Sequence, residues 1–520
     1  MRTLTFSGNG NTLINGSILS GTAEDKTFNK SGSGRLTIMG TASTLAGNVN
    51  ISGGAVTITD FRSLNMQTGS TSAGRISLGN ATTTGGALII GTSAEATAEG
   101  LQSSAPIQLN VTTANNSIYA NQAGTNPVIL SGAITKIAAH TTGSLILGGT
   151  NTADNTISSI IPLETTASTG GVIKTGPGTW VLAGANTYAG ATSIFAGTLK
   201  LAATGAASDV IKSAATNTIV FNADGTTQTA GGTLQFTGFL DSATTETLGA
   251  LTPTAGSGRI VTVADGTGSA ALTFTSLGAR GAGAVVNYIV GDNTTISFGT
   301  APTVTNGILG AASTSAFQLY NGVDWATLSG NDVVQYTGYT VNAMPASGTG
   351  GAAVNYSQNV NHTTTGTASI NTLKLIGGAS NPTLTLGGVL TLSARAILFD
   401  NSAGTGLITG SQLGANATEV HVITNGSTPS NALTIASLIG GTTGSFTKSG
   451  TGTLIVSGDN AYTGNTIINE GLVRLSGPTA TLGVNSTAAN ITTIRQGATL
   501  DVNGAGAAQV INLRRCKAPA

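Results

Sequence analysis

One internal alignment constrains this chain more than any other feature. Residues 174–201 (KTGPGTWVLAGANTYAGATSIFAGTLKL) and 448–475 (KSGTGTLIVSGDNAYTGNTIINEGLVRL) superimpose without a gap. Gly176, Gly178, Gly184, Asn186, Tyr188, Gly190, Gly197 and Leu201 in the first copy answer to Gly450, Gly452, Gly458, Asn460, Tyr462, Gly464, Gly471 and Leu475 in the second, and each copy is headed by a lysine, Lys174 or Lys448. A weaker copy spans 30–58, beginning KSGSGRLTIMG and returning to register at Ile51 (ISGGAVTI) after one inserted residue; a fragment of the theme lies at 143–157. Recurrence at fixed offsets is the signature of stacked units.

Each copy can be read physically. Gly176 and Gly178 bracket a turn, because glycine reaches positive φ without a steric penalty. Trp180 and Leu182 follow, two apart and so on one face of a strand. Gly184, Asn186 and Gly190 punctuate a second turn, where asparagine can bond its own backbone. A second strand carries Thr192 and Ile194; Gly197 breaks it, and Leu199 and Leu201 supply a third inward pair. Leu454, Val456, Ile468, Val473 and Leu475 hold the matching places. Three short strands per repeat are expected to form one coil of a parallel β-solenoid, with neighbouring coils about 4.8 Å apart. At roughly 25 residues per coil the chain would build a rod on the order of 100 Å.

The run G-x-G-T-L-x-L-x-G-x-N-x-Y-x-G-x-T-x-I-x-x-G-x-L-x-L, met at 176–201 and 450–475, resembles the autotransporter-associated β-strand repeat, or passenger-associated transport repeat, of type V secretion passengers. The chain departs from it at Trp180, Val456 and Val473, and at Ala42 and Thr44, where the copy near the N-terminus lacks Asn and Tyr. The resemblance implies an all-β, right-handed parallel β-helix of rod-like form, displayed at the cell surface or released outside the cell. It says little of the partner, which is expected to be a surface ligand of unknown kind, a glycan, matrix material or another cell; no cofactor, metal or catalytic residue is expected. The sequence divides on this reading into one solenoid of degenerate repeats over 1–510, with a possible aromatic-rich excursion at 288–356, and an atypical tail at 511–520.

Composition suits such a fold. Charged residues make up 8% of the chain against roughly a quarter in ordinary soluble domains, while 75 of 520 residues are glycine. Charged helix formers are too scarce for amphipathic helices. Low charge with abundant glycine can also signal disorder, but 39% hydrophobic residues set in L-x-L pairs allow a buried stripe. A formal net charge of zero offers no basic stripe for phosphates, which disfavours nucleic acid. Lys174 and Lys448 are expected to keep a turn or an exposed edge soluble.

Both ends differ from the repeat. Met1 and Arg2 lead straight into strand-like TLTFSGNGNTLING without the apolar core of a signal peptide. No run of about 18 apolar residues predicts a membrane helix, and no serial ten-residue alternation with aromatic girdles predicts an outer-membrane barrel. On the resemblance, export signal and translocating barrel are expected outside this sequence, with membrane association only through that barrel. The texture changes after Val510, where Arg514, Arg515, Lys517 and the single cysteine, Cys516, crowd together, so the tail is expected to be foreign to the repeat. One cysteine excludes a disulfide framework within the chain.

A search for catalytic constellations nominates none. His140, His362 and His421 lie far apart in sequence, no Gly-Asp-Ser-Gly nucleophile segment occurs, and the 20 acidic residues are scattered. Asp224-Gly225 and Asp265-Gly266 read as plain turns rather than a calcium-binding array. Tyr288, Phe298, Phe317, Tyr320, Trp325, Tyr336, Tyr339 and Tyr356 gather a large share of the aromatics in one segment. They could stack on sugars or anchor a partner, but filling a wider core or a small excursion is the simpler use. The chain is therefore expected to be a structural stalk or adhesin. The alternatives are a β-helix enzyme acting on polysaccharide and a threonine-array surface binder, the latter suggested by Thr57 to Thr59 and Thr383 to Thr385.

Overall fold

Alternation between inward apolar and outward polar residues decides which segments become strands. In Thr198–Ala202, Leu199 and Leu201 are fully buried while Thr198, Lys200 and Ala202 are only half-buried, the period of two that a strand with one covered face requires. A computed structural model describes residues 2–19, 26–69, 74–91, 98–163, 169–205, 209–212, 217–221, 231–310, 317–378, 380–400, 404–415, 419–426, 430–440, 444–484 and 490–505. Among them the fold is all-β, and the one helical element is a 3-10 turn, Phe61–Leu64. No helix of the described residues is long and apolar enough to cross a membrane.

The strands stack in parallel into a β-solenoid. In the first part of the chain Asn155, Trp180, Leu199, Leu234, Ile260 and Tyr288 sit directly over one another on successive strands, forming a buried column. A facing sheet contributes Leu36, Val56, Leu88, Ile118 and Leu147, each again in register with the next. A second stack, from Thr340 onward, repeats the arrangement with Leu433, Leu454, Val473 and Leu500 in one column. Because each coil buries its apolar residues only against its neighbours, the core grows with length instead of radius.

The register corrects the expected content of a coil. Thr179–Leu182 pairs with Thr198–Ala202, and Val172–Lys174 pairs with Thr192–Ile194. The first and third strands of a repeat are thus the same sheet one coil apart, not two sides of a single coil. Thr453–Val456 with Leu472–Gly477, and Arg35–Ile38 with Ala55–Ile58, show the same relation. Within these repeats a coil supplies one strand to each of two sheets in about twenty residues, and one sequence repeat spans two consecutive coils; elsewhere coils are longer, and Ile107–Leu109, Asn116–Ala120 and Ile129–Leu130 feed three sheets in one turn. In the repeats, the L-x-L pairs nineteen residues apart therefore continue one buried column, Trp180 on Leu199 and Leu182 on Leu201.

Antiparallel pairing among the described residues is confined to 294–335, where Gln318–Tyr320, Asp324–Ser329 and Asp332–Gln335 fold back on one another. Here the chain leaves the first stack and enters the second. Phe317 and Trp325, both fully buried, pack with Val285 and Leu319 against Ala394, Ala396, Leu398 and Ile423 of the second stack. Tyr288 and Phe298 belong to the first core, and Tyr356 to the second. The ion pairs Lys374–Asp324, Arg280–Glu419 and Arg259–Glu470 link the stacks in opposite order along the two chain directions, so the second stack runs back along the flank of the first.

Candidate functional site

The lysines that head the repeats are not at an exposed edge. Lys174 and Lys448 are fully buried, and Lys30 is nearly so. Lys174 occupies an inward position between Leu147 and Ile194, where an aliphatic residue stands on the coils either side. Its Nζ donates to the carbonyls of Thr175 and Gly176 in its own turn, at 2.7 and 2.8 Å, and to Ala196 of the next coil at 3.0 Å. Lys448 repeats this on Ser449, Gly450 and Glu470, and Lys30 on Ser31, Gly32 and Gly53. Three N–H donors meet three carbonyls, as a buried ammonium requires. Gly197 completes the corner: with φ at 66° it takes the left-handed region, and a side chain there would collide with the carbonyls of Gly176 and Gly178 and with the lysine itself. Charge suggested surface; the carbonyl cradle that reverses this is invisible in local composition.

The far turn is held by amides. Asn186 accepts the N–H of Ile161 on the preceding coil at 2.9 Å, and its Nδ2 donates to Gly184 in its own turn and to Val210 on the following coil. Asn460 does the same with Ile439, Gly458 and Thr481. One side chain thus ties three coils. Tyr188 and Tyr462 are buried, and their hydroxyls meet Thr192 and Thr466 at 2.8 and 2.7 Å. Gly184, Gly190, Gly458 and Gly464 lie where a Cβ would strike the backbone of the coil before. Leu201 and Leu475 close the repeats as fully buried members of the apolar columns. Asn186→Ala should cost about 2–4 kcal/mol, because the Ile161 amide and the Gly184 carbonyl lose their partner in a dry site while the Val210 carbonyl keeps only the backbone N–H of residue 186, whereas Tyr188→Phe should cost about 1 kcal/mol. Hydrogen exchange reads the difference directly: the Ile161 amide should exchange much faster in Asn186→Ala and unchanged in Tyr188→Phe. Equal protection of that amide in both variants would contradict the bridging role.

A family model described as the passenger-associated transport repeat matches residues 28–58, 172–201 and 446–475. The chain carries passenger-associated transport repeats. These matches begin and end on the two-coil units held by Lys30, Lys174 and Lys448, and with the parallel all-β stack they mark an autotransporter passenger region, a type of domain found at the cell surface or secreted. No curated protein and no solved structure matches the chain.

One group of titratable side chains lies between the stacks. Arg280 reaches Glu419 at 2.9 Å and covers the ring of Phe317 at 3.9 Å, while Phe317 packs on His421 with ring centroids 4.7 Å apart. His421 Nε2 meets Ser449 Oγ at 2.8 Å, and Asn469 donates to the same hydroxyl and to the carbonyl of Gly283. Serine, histidine and glutamate in this order invite comparison with a hydrolytic triad. The geometry differs: His421 Nδ1 is 4.0 Å from the Glu419 carboxylate and has no hydrogen bond, and the imidazole and Ser449 are fully buried. Burial pulls the His421 pKa down to about 3, so the ring is neutral at ordinary pH. Burial alone would raise the Glu419 carboxyl; with His421 neutral, the Arg280 guanidinium and the hydrogen bonds from Thr447 and Arg280 are what overcome it and hold it below the usual range. With no orienting bond on the base and no approach to the hydroxyl, the group serves to join the stacks.

The remaining sequence candidates fall apart in space. His140 is buried and His362 half-buried, on separate coils. Among the described residues no three metal-ligating side chains converge. Thr57 and Thr59 are buried and so contribute nothing to an outer hydroxyl array, while Thr363, Thr385 and Thr409 align across three coils of the second stack. Asp265-Gly266 is a turn, with Gly266 at φ 60°. Asp224-Gly225, Cys516 and the tail at 511–520 lie outside the described residues.

Proposed function

We propose that this passenger works as a surface stalk that also makes contact, an adhesin, rather than as an enzyme. The observation that carries the reading is the use of its recurrent polar residues. Lysine, asparagine and tyrosine, the only conspicuous side chains of the repeat, are spent on the carbonyls, amides and hydroxyls of adjoining coils. Side chains committed in this way give length and cohesion, and they leave recognition to the flanks.

The test uses cells that produce the protein and the purified chain side by side. Antibody to the chain should label intact cells, protease should remove the label, and added purified chain should compete with the cells for glycan-coated, matrix-coated or cell-covered surfaces. Absence of label, or release of reducing ends from polysaccharide by the purified chain, would overturn the proposal.

A further inference from the structure

Where the second stack meets the first, a cleft of about 220 Å³ opens between the strands Ser257–Val263 and Val285–Val290 on one side and the corner at Asn425, Gly450 and Glu470 on the other. Its mouth is formed by the exposed residues Asn321, Val323 and Thr451, and its floor by the buried Val285 and Leu319. We infer that this cleft binds a single neutral sugar unit, one pyranose ring of an external glycan.

The argument rests on polar atoms left over after the fold has used the others. Asn287 accepts the N–H of Gly322 at 2.8 Å and Asn321 accepts that of Val290 at 2.9 Å, so both Nδ2 groups remain as donors. Asn425 donates to the carbonyl of Gly322, which leaves its Oδ1 as an acceptor. Arg259 binds Glu470 through one nitrogen and one oxygen at 2.7 Å, so the guanidinium keeps further N–H groups and the carboxylate keeps Oε2. Ser257 adds a second, independent sign: its hydroxyl is buried in the wall without any partner. A buried hydroxyl without a hydrogen bond is costly unless something supplies one.

These groups choose the ligand. Each asparagine is fixed by its engaged end, so the free ends are already oriented and little side-chain freedom is lost on binding. The same lining offers donors from Asn287, Asn321 and Arg259 and acceptors from Asn425 and Glu470, which suits hydroxyls that both give and take a hydrogen bond. Arg259 and Glu470 neutralise each other, so an anion gains from one and is repelled by the other. The valine and leucine floor can carry the C–H face of a ring. A hydroxyl-rich uncharged ring fits; a carboxylate, a phosphate or an apolar peptide does not.

This inference deepens the adhesin reading and rests on it for its biological setting, yet it can fail alone. Surface labelling tests display, whereas the following test needs only purified protein. Saturation-transfer NMR would be run on the 520-residue chain with glucose, galactose, mannose and N-acetylglucosamine, and with glucuronate as the charged comparator. At least one neutral pyranose should bind with a dissociation constant in the millimolar range, as the small size of the ligand dictates. Glucuronate should bind at least tenfold more weakly. Thr451→Trp, which fills the exposed mouth, should weaken binding at least tenfold with an unchanged melting curve. Asn321→Asp keeps the acceptor for Val290 and exchanges the donor for a charged acceptor, so it should weaken binding of the neutral ring about fivefold even if the tryptophan disturbs the fold. No neutral pyranose bound by the parent chain, equal binding of glucuronate, or full binding by both variants would each overturn the assignment.

Discussion

Leu201→Asp should unfold the coils on either side of it. Leu201 is fully buried between Leu182 and Phe236 on neighbouring strands, so the substitution removes about 2–3 kcal/mol of apolar burial and places a carboxyl in a column with no cation or donor. The total loss should reach about 4 kcal/mol or more, which few coils can absorb. A stack in which each coil touches only its neighbours loses structure locally before it loses it globally. Limited proteolysis should therefore open new cleavage sites near 180–240 while the second stack stays resistant. Two controls locate the cause. Leu201→Met keeps the volume and should cost under about 1.5 kcal/mol. Lys200→Gln, one residue away on the outer face, removes only the exposed pair with Asp154 and should cost about 1 kcal/mol at most. An unchanged cleavage pattern in Leu201→Asp would contradict the inward stacking.

The difference between Leu201 and Lys200 was legible in sequence because it depends on a period of two, the most local property a strand has. The all-β class and the stacking followed from the same pattern repeated at fixed offsets. Assignment of strands to coils did not follow. Two inward pairs separated by nineteen residues have the same spacing whether they lie on two walls of one coil or on one wall of successive coils. Only the register of Trp180 on Leu199 decides between them. The junction between stacks was still less accessible. Arg280 and Glu419 are 139 residues apart, and Arg259 and Glu470 are 211 apart, so no window of sequence contains both partners. The asparagines of the cleft are likewise ordinary turn residues until the second stack arrives beside them.

The buried lysines are the instructive miss, since a signal for them existed. A lysine recurring at one offset, two residues before the first glycine of the repeat, has a conserved geometry within this one chain, and a merely soluble edge would not need it. Isolated charge pushes a side chain outward, but three carbonyls turned into one corner reverse the balance. This corner carries the second large effect. Lys448→Met fills similar space and leaves the carbonyls of Ser449, Gly450 and Glu470 without their donor. Each orphaned carbonyl costs about 1–3 kcal/mol, offset in part because a buried charge is also removed. A net loss of about 2–4 kcal/mol at neutral pH is expected. The sign of its pH dependence follows from titration of the lysine. Burial lowers the pKa of Lys448 from 10.5 to about 7, with the Glu470 carboxylate pulling the other way, and burial lowers Lys174 to about 7 as well. Between about 7 and 10.5 the unfolded chain then binds more protons than the folded one, so stability rises with pH through that window. The methionine variant lacks the share of this rise that Lys448 contributes and keeps that of Lys174. The gap between parent and Lys448→Met should accordingly widen from pH 6 to pH 9.5, less steeply than one full proton because the three carbonyls favour the ammonium form. Denaturant unfolding of both proteins at the two pH values decides the matter. Equal stability would remove the lysine from the corner's support, and a gap that stays the same at both pH values would show that Lys448 keeps its proton throughout.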